Sequence, residues 1–254
     1  MSNFIISVVS HNHFDLIKKI GCLGRLSSLD FVTIIIKTNT NENIKEYCLE
    51  NNIYYIEDHP NLGFGENNNK VFEFCKKEFD CSDDDYFIVM NPDVELSVQS
   101  CIKLYNSLEV MKPNVAAINL YKDLNFSEHD YSIRLFPKFS TFIKSFFGFG
   151  NSTLYKKEVL TNPTDVDWAA GSFLAFKFGF YDELSGFDTR YFMYCEDVDI
   201  CFRASLLGTR VKYFPGVKAI HYAQHNNRKL FSKHFFWHVY SSILFLIVKA
   251  RNEK

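Results

Sequence analysis

Along the first third of the chain, unbroken apolar runs alternate with polar stretches and with segments of helical spacing. FIISVVS (4–10) is followed by polar HNH and a helical pattern over 14–26, and FVTIIIK (31–37) by TNTNEN and a helical pattern near 44–50. IYYIE (53–57) is a third run, EFCKKEFD belongs to the helix after it, and the run ending at Met90 in DYFIVM is a fourth. Unbroken runs predict strands buried on both faces, and their alternation with helices predicts an α/β fold around a mostly parallel sheet. Such sheets bind ligands beyond the carboxyl ends of their strands. HNH, TNT, DHPNLGFGENNN and NPDVE all lie there.

After about residue 115 the alternation weakens into short strands: VAAINLY, SIRLF, GSFLAFKF, RVKYF and KAIHY. No Pro/Gly/Ser linker, repeat or low-complexity tract divides the chain, so one domain is expected over 1–254. It comprises a nucleotide-binding half (1–115), a mixed catalytic and acceptor half (116–225) and a C-terminal amphipathic helix (226–254). In that last part Phe236, Val239, Tyr240, Ile243, Leu244, Ile247 and Val248 recur at helical spacing, between Arg228, Lys229 and Lys233 on one side and Lys249 and Arg251 on the other. Two readings stand: a helix packed on the core or in a homodimer, and a helix lying on the inner face of the cytoplasmic membrane.

With 47% hydrophobic and 23% charged residues the chain belongs with folded globular proteins. A net charge of -2 gives no reason to expect nucleic acid as a partner. Seven cysteines without a paired CxxC predict reduced thiols and a cytoplasmic location, and argue against a disulfide framework or a zinc site. The first apolar run has no basic segment ahead of it, so it is read as a strand and not a signal peptide. No stretch reaches the ~18 apolar residues of a spanning helix. Phe and Tyr exceed the needs of a core, which leaves room for a sugar-stacking or membrane-facing surface.

Three motifs carry candidate chemistry. In NPD (91–93), proline stops the strand and projects Asn91 and Asp93 at its end. An Asx turn explains this as well as a divalent-cation site does. NLGFGENNNK (61–70) offers Gly63 and Gly65 for close approach of a ligand and asparagines 67–69 at a helix start, against a plain cap. FMYCEDVDICFR (192–203) sets Glu196, Asp197 and Asp199 among apolar residues. Read as a helix from Glu196, it packs Val198, Ile200, Cys201 and Phe202 inward and puts Glu196 and Asp199 on one face. Helix capping accounts for acids in a first turn; an aromatic wall beside a carboxylate also tunes a general base. His221, ending KAIHY, gains weight only beside Asp93 and these acids.

Taken in order, VVSHN, NLGFGENNN, NPDVEL, WAAGSFLAFK, GFDTRYFMYCEDVDICFR and VKAIHY resemble family-2 inverting glycosyltransferases of the GT-A fold, over roughly residues 4 to 222. HDYSIRLFPKF (129–139) and HYAQHNNRKLFSKHFFWH (221–238) are similar to bacterial rhamnosyltransferases that use dTDP-L-rhamnose on GlcNAc-diphospho-polyprenol in O-antigen or related polysaccharide assembly. The resemblance implies a metal (Mg²⁺ or Mn²⁺) on Asp93 and His221, with Asn91 in place of the first acid of a DxD motif. It implies Asp197 as catalytic base, with Glu196 orienting it or the acceptor. Ser10, His11, Asn12, Thr38, Asn39, Asp58, Gly63, Gly65, Asn68, Asn91 and Asp93 are the implied nucleotide-sugar contacts, and Trp168, Gly171 and Glu196 the acceptor contacts. Relatives carry an Asp-Asn pair after the second strand; here KTNT supplies Thr38 and Asn39, with Asp58 nearby. Alternatives are a UDP-sugar transferase, a degenerate nucleotide-sugar-binding scaffold, and a sugar nucleotidyltransferase. VVSHNHFD, which lacks a glycine-rich basic loop, counts against the last.

Overall fold

The computed structural model describes residues 2–58, 61–138, 153–223 and 233–252. Strands β1 (Phe4–Ser10), β2 (Val32–Thr38), β3 (Tyr54–Glu57) and β4 (Tyr86–Met90) run parallel in the order β3-β2-β1-β4. Ser10 pairs with Thr38, so the carboxyl ends of β1 and β2 are level. Helices α1 (Phe14–Ile20), α2 (Cys22–Leu26), α3 (Lys45–Glu50), α4 (Phe64–Glu78) and α5 (Val98–Met111) complete this half. The helix expected over 14–26 is two helices. Gly21, at φ 62°, ends α1 with its N–H on Ile17 O, a left-handed cap that glycine adopts without a Cβ penalty. The hydrophobic pattern did not single out α5, which is capped by Ser97 accepting from the Ser100 N–H.

The sheet continues through β10 (Phe173–Lys177), β6 (Val115–Tyr121), β11 (Val211–His221) and β5 (Val94–Glu95). β10 is antiparallel to both β4 and β6, β6 and β11 are parallel, and β8 (Thr164–Val166) pairs antiparallel with β11. RVKYF and KAIHY, expected as two strands, form one. The register shifts between Phe214 and Lys218, where Pro215 has no N–H for the ladder. A two-stranded sheet of β7 (Ile133–Arg134) and β9 (Trp168–Ala169) stands beside the main one. Helices α6 (Phe178–Glu183), α7 (Glu196–Leu206) and α8 (Lys233–Asn252) follow.

Two hydrophobic clusters fill the interior. One gathers Phe72, Phe87, Phe176, Tyr181, Phe187 and Phe245; the other gathers Phe4, Ile34, Met90, Leu104 and Phe214. Much of the aromatic excess is therefore core: the Tyr181 ring meets Phe72, Phe87, Phe176 and Phe187 at 4.7–5.9 Å. All seven cysteines are free thiols. The apolar positions of α8 divide between two faces. Trp237 stacks on Phe192 at 4.7 Å and Phe245 meets Phe202 at 5.7 Å, while Phe236, Tyr240, Ile243 and Ile247 are exposed. Among the described residues no helix is long and apolar enough to cross a membrane.

Candidate active site

β4 stops at Met90, and the NPD turn is closed by Val94 N–H donating to Asn91 O at 3.1 Å. The chain then enters β5, whose Val94 pairs with His221 of β11, and Tyr222 N–H donates to Asp93 O at 3.0 Å. This pairing sets Asp93 and His221 side by side, although they are far apart in sequence. His221 Nε2 lies 3.4 Å from Asp93 Oδ1, and its Nδ1 lies 2.7 Å from Asp130 Oδ2. Burial pulls the His221 imidazole down, but hydrogen bonds to Asp130 and Asp93 outweigh it and carry it up to about 9. At Asp130 burial pushes the carboxyl up, and the His221 hydrogen bond and charge bring it below the usual range.

Asp130 is a residue that sequence reasoning missed. It arrives on the loop between β6 and β7, which Asp123 shapes by accepting from the N–H groups of Asn125, Ser127 and Glu128. His129 stacks on Tyr121 at 4.5 Å, and Asp130 N–H donates to Leu120 O at 2.9 Å. The one available signal was an acid beside His129 in HDYS.

The residues present fit a divalent cation. Asp93 Oδ1 is buried, and its nearest polar neighbour is the His221 Nε2, a long contact at 3.4 Å. A carboxylate oxygen and an imidazole suit Mg²⁺ or Mn²⁺, and a carboxylate on the far ring nitrogen is how such a histidine is oriented. Among the described residues no three His, Cys, Asp or Glu side chains are arranged to hold a metal ion between them.

The acid pair opens α7. Tyr194 and Cys195 just before it have φ of 73° and 62°, left-handed values for two successive residues with side chains. Each costs on the order of 1–3 kcal/mol and needs surrounding contacts to hold it. α8 supplies them: Ser241 Oγ donates to Met193 O at 2.9 Å, and Tyr194 Oη lies 3.0 Å from His234 Nδ1. Asp197 Oδ2 accepts from Gly171 N–H at 3.1 Å and Oδ1 from Val198 N–H at 2.8 Å. Glu196 is buried and its Oε2 has no partner.

Burial raises both carboxyls. Glu196 goes well above its ordinary value, through burial first and then the Asp197 charge. At Asp197 the rise from burial is opposed by the two backbone N–H groups and by Arg134. Burial thus disfavours charge on both carboxyls, and the backbone N–H groups and Arg134 counter it at Asp197. Asp199 is separate: fully buried, it binds Arg203 Nε at 2.7 Å, and Arg203 also donates to Leu184 O and Gly186 O. The third acid of the motif is a fastening, although sequence spacing put it on the face of Glu196.

One turn joins the two acidic centres. Asn91 N–H donates to Ser172 O at 3.0 Å, while the neighbouring Gly171 N–H holds Asp197. Trp168, on β9, is mostly buried, and its Nε1–H donates to Leu135 O at 3.0 Å.

Several expected nucleotide contacts have other partners. Asn68 is fully buried; its Oδ1 accepts from Ser7 Oγ at 2.7 Å and its Nδ2 donates to Phe64 O. Thr38 is also fully buried, its hydroxyl on Ile56 O. A Cβ on Gly63 would collide with Phe192 O, and one on Gly65 would stand 2.6 Å from Phe187 Cβ. These glycines serve the docking of α4 on the 187–192 segment, where Phe64 N–H donates to Phe192 O. Asn69 fastens the same joint through Phe187 N–H, Phe187 O and Tyr181 Oη.

At the end of β1, buried Ser10 donates to Glu42 at 2.6 Å, and Glu42 also accepts from the N–H groups of Asn12 and Phe14. Glu42 was not foreseen, being one acid in a polar loop. His11 and Asn12 remain exposed. Asn39 grips Leu62 with both ends of its amide, at 2.9 and 3.0 Å, and Asp58 pairs with Lys70 at 2.6 Å.

A mostly parallel sheet that presents an acid and a histidine at its strand ends, with an acid pair on a helix start one turn away, has the architecture of the GT-A glycosyltransferases. The fold matches GalNAc-T7 solved with UDP, GalNAc and Mn²⁺, with a TM-score of 0.69 at 11% identity over 98% of this chain; the chain spans 48% of that one. No family model matches the chain. It is 40% identical over 247 residues to the rhamnosyltransferase WbbL of Escherichia coli (strain K12), covering 96% of this chain and 92% of the relative. It is 28% identical over 208 residues to the N-acetylglucosaminyl-diphospho-decaprenol L-rhamnosyltransferase of Mycobacterium tuberculosis, covering 77% and 67%. The chain belongs to the rhamnosyltransferase family of WbbL and is a glycosyltransferase.

Proposed function

We propose that the protein transfers L-rhamnose from dTDP-β-L-rhamnose to a hydroxyl of a lipid-linked acceptor of the GlcNAc-diphospho-polyprenol kind, with inversion, in cell-surface polysaccharide assembly. The observation that carries the reading is the junction at 170–172, which ties the Asp93–His221 centre to Asp197 through Ser172 and Gly171. The names of the two rhamnosyltransferase relatives support the sugar and the acceptor class.

In this reading Asp197 takes the proton of the acceptor hydroxyl as that oxygen attacks the anomeric carbon from the face opposite the diphosphate. The Gly171 and Val198 N–H groups aim its carboxylate. Glu196, buried beside it, orients Asp197 or the acceptor. Asp93 and His221 would hold Mg²⁺ or Mn²⁺, which supplies positive charge against the departing diphosphate. One displacement inverts the configuration.

The same reading puts the protein on the inner face of the cytoplasmic membrane. The exposed stripe Phe236, Tyr240, Ile243 and Ile247 lies on a helix that contains no acidic residue, begins at Lys233 and carries Lys249 and Arg251 in its last turn. Apolar insertion flanked by cations matches an anionic bilayer surface.

The test offers dTDP-rhamnose, UDP-sugars and GDP-sugars with a synthetic GlcNAc-diphospho-lipid in anionic vesicles, reading product by mass and bound protein by co-sedimentation. Product from dTDP-rhamnose, and co-sedimentation lost in Ile243→Glu, are expected. Product from a UDP-sugar alone would remove rhamnose from the account. A dimer in solution that Ile243→Glu disrupts, with no vesicle binding, would replace the membrane by a second copy.

A further inference from the structure

Arg134 is a basic residue beside the acid pair to which the catalytic reading assigns no task. Its strand partner is Trp168, and one residue beyond β9 the Ala170 N–H donates to Ser132 O at 2.8 Å. The next residue, Gly171, binds Asp197, so Arg134 lies on the strand adjacent to the one that aims the base. Its guanidinium stands 5.5 Å over the Trp168 ring, and its Nε–H donates to Tyr131 O at 2.9 Å. The indole is itself pinned through Nε1 to Leu135 O. Stacking and the Nε bond fix the plane of a group whose fork of N–H donors matches phosphate oxygens.

Arg134 is also the cation whose charge opposes the rise of the Asp197 carboxyl.

We propose that Arg134, seated on Trp168, forms the subsite for the diphosphate of the acceptor. The proposal rests on the lipid-linked acceptor argued above and adds the group that is recognised and the residue that recognises it. In such an acceptor the reacting hydroxyl and the diphosphate are carried by one pyranose ring, so an acceptor whose hydroxyl meets Asp197 carries its diphosphate within about one ring's width, and Arg134 is on the strand beside the one that aims Asp197. Past Arg134 the chain leads to α8: Phe136 packs on Phe202 at 5.5 Å, and Lys249 Nζ donates to Pro137 O at 3.2 Å. A lipid tail leaving the Arg134 subsite along this segment reaches the helix whose outer face is apolar.

The experiment compares two soluble acceptors with the same sugar and chain length, a GlcNAc-diphospho-alkyl and a GlcNAc alkyl glycoside, using wild type, Arg134→Gln and Arg134→Lys. The ratio of kcat/KM between the acceptors is read, with the KM for the nucleotide sugar and the pH profile on the neutral acceptor. Losing charged hydrogen bonds to the diphosphate is expected to lower the ratio about tenfold or more in Arg134→Gln, chiefly through acceptor KM, with partial recovery in Arg134→Lys. A ratio unchanged from wild type overturns the proposal, as does a loss confined to nucleotide-sugar KM or explained wholly by a shifted pH profile. Transfer by wild type to neither acceptor overturns the acceptor reading and this subsite together; transfer to both, with no change of ratio, overturns the subsite alone.

Discussion

Asp197→Asn is expected to lower kcat by about 10²–10⁴-fold, the range that a positioned general base contributes, and to leave nucleotide binding intact. The asparagine keeps an oxygen for one of the two N–H groups that aim the carboxylate, so the α7 start is retained while the proton acceptor is lost. Single-turnover transfer and calorimetric titration with the nucleotide separate the two effects; transfer near the wild-type rate would remove Asp197 as the base. The pH dependence follows from the raised carboxyl. Burial disfavours the charged form, so Asp197 takes up its proton at a higher pH than an ordinary aspartate. Activity should therefore rise with pH through an acid limb displaced above the usual aspartate range, and Asp197→Asn should abolish that limb.

Asp93→Asn is expected to weaken Mn²⁺ binding and to cost kcat about 10²–10³-fold, the equivalent of several kcal/mol of charge stabilisation. Its Oδ1 is buried with the His221 imidazole at 3.4 Å beside it, so in this account its task lies with a cation that the two would share. Asp130→Asn should act on the same centre through His221 and weaken metal affinity about 10–100-fold, the usual cost of removing the carboxylate behind a ligating histidine. Calorimetry with Mn²⁺ alone reads both variants without reference to turnover. Unchanged Mn²⁺ affinity in Asp93→Asn would exclude the residue as a ligand.

The front of the fold was legible because β1, β2 and β4 are buried on both faces and their runs are continuous. β11 was split in two because Pro215 and Gly216 punctuate it, whereas the strand absorbs them as a bulge. The sequence marks α5 weakly: its buried positions Cys101, Leu104 and Leu108 have helical spacing but are few. The acid motif was readable as a helix starting at Glu196 with apolar residues turned inward. The division of labour among its acids was not, because Asp199 is defined by Arg203 and Glu196 by a buried Oε2 without a hydrogen-bond partner. Asparagines 67–69 are unusual residues for the interior of a helix. Their partners, Leu62, Ser7 and Phe187, are protein groups, and composition alone does not separate a group that binds a ligand from one that binds its own chain. Asp130 and Glu42 are single acids in polar loops, made meaningful by contacts across long stretches of sequence.

The most direct test is a crystal structure with dTDP and Mn²⁺, located by its anomalous scattering. One metal peak is expected, bonded to Asp93 and His221 and to the diphosphate, with the open side of the nucleotide turned towards Asp197. A metal bound elsewhere, or a nucleotide seated where Asp197 cannot reach the sugar's position, would contradict the account.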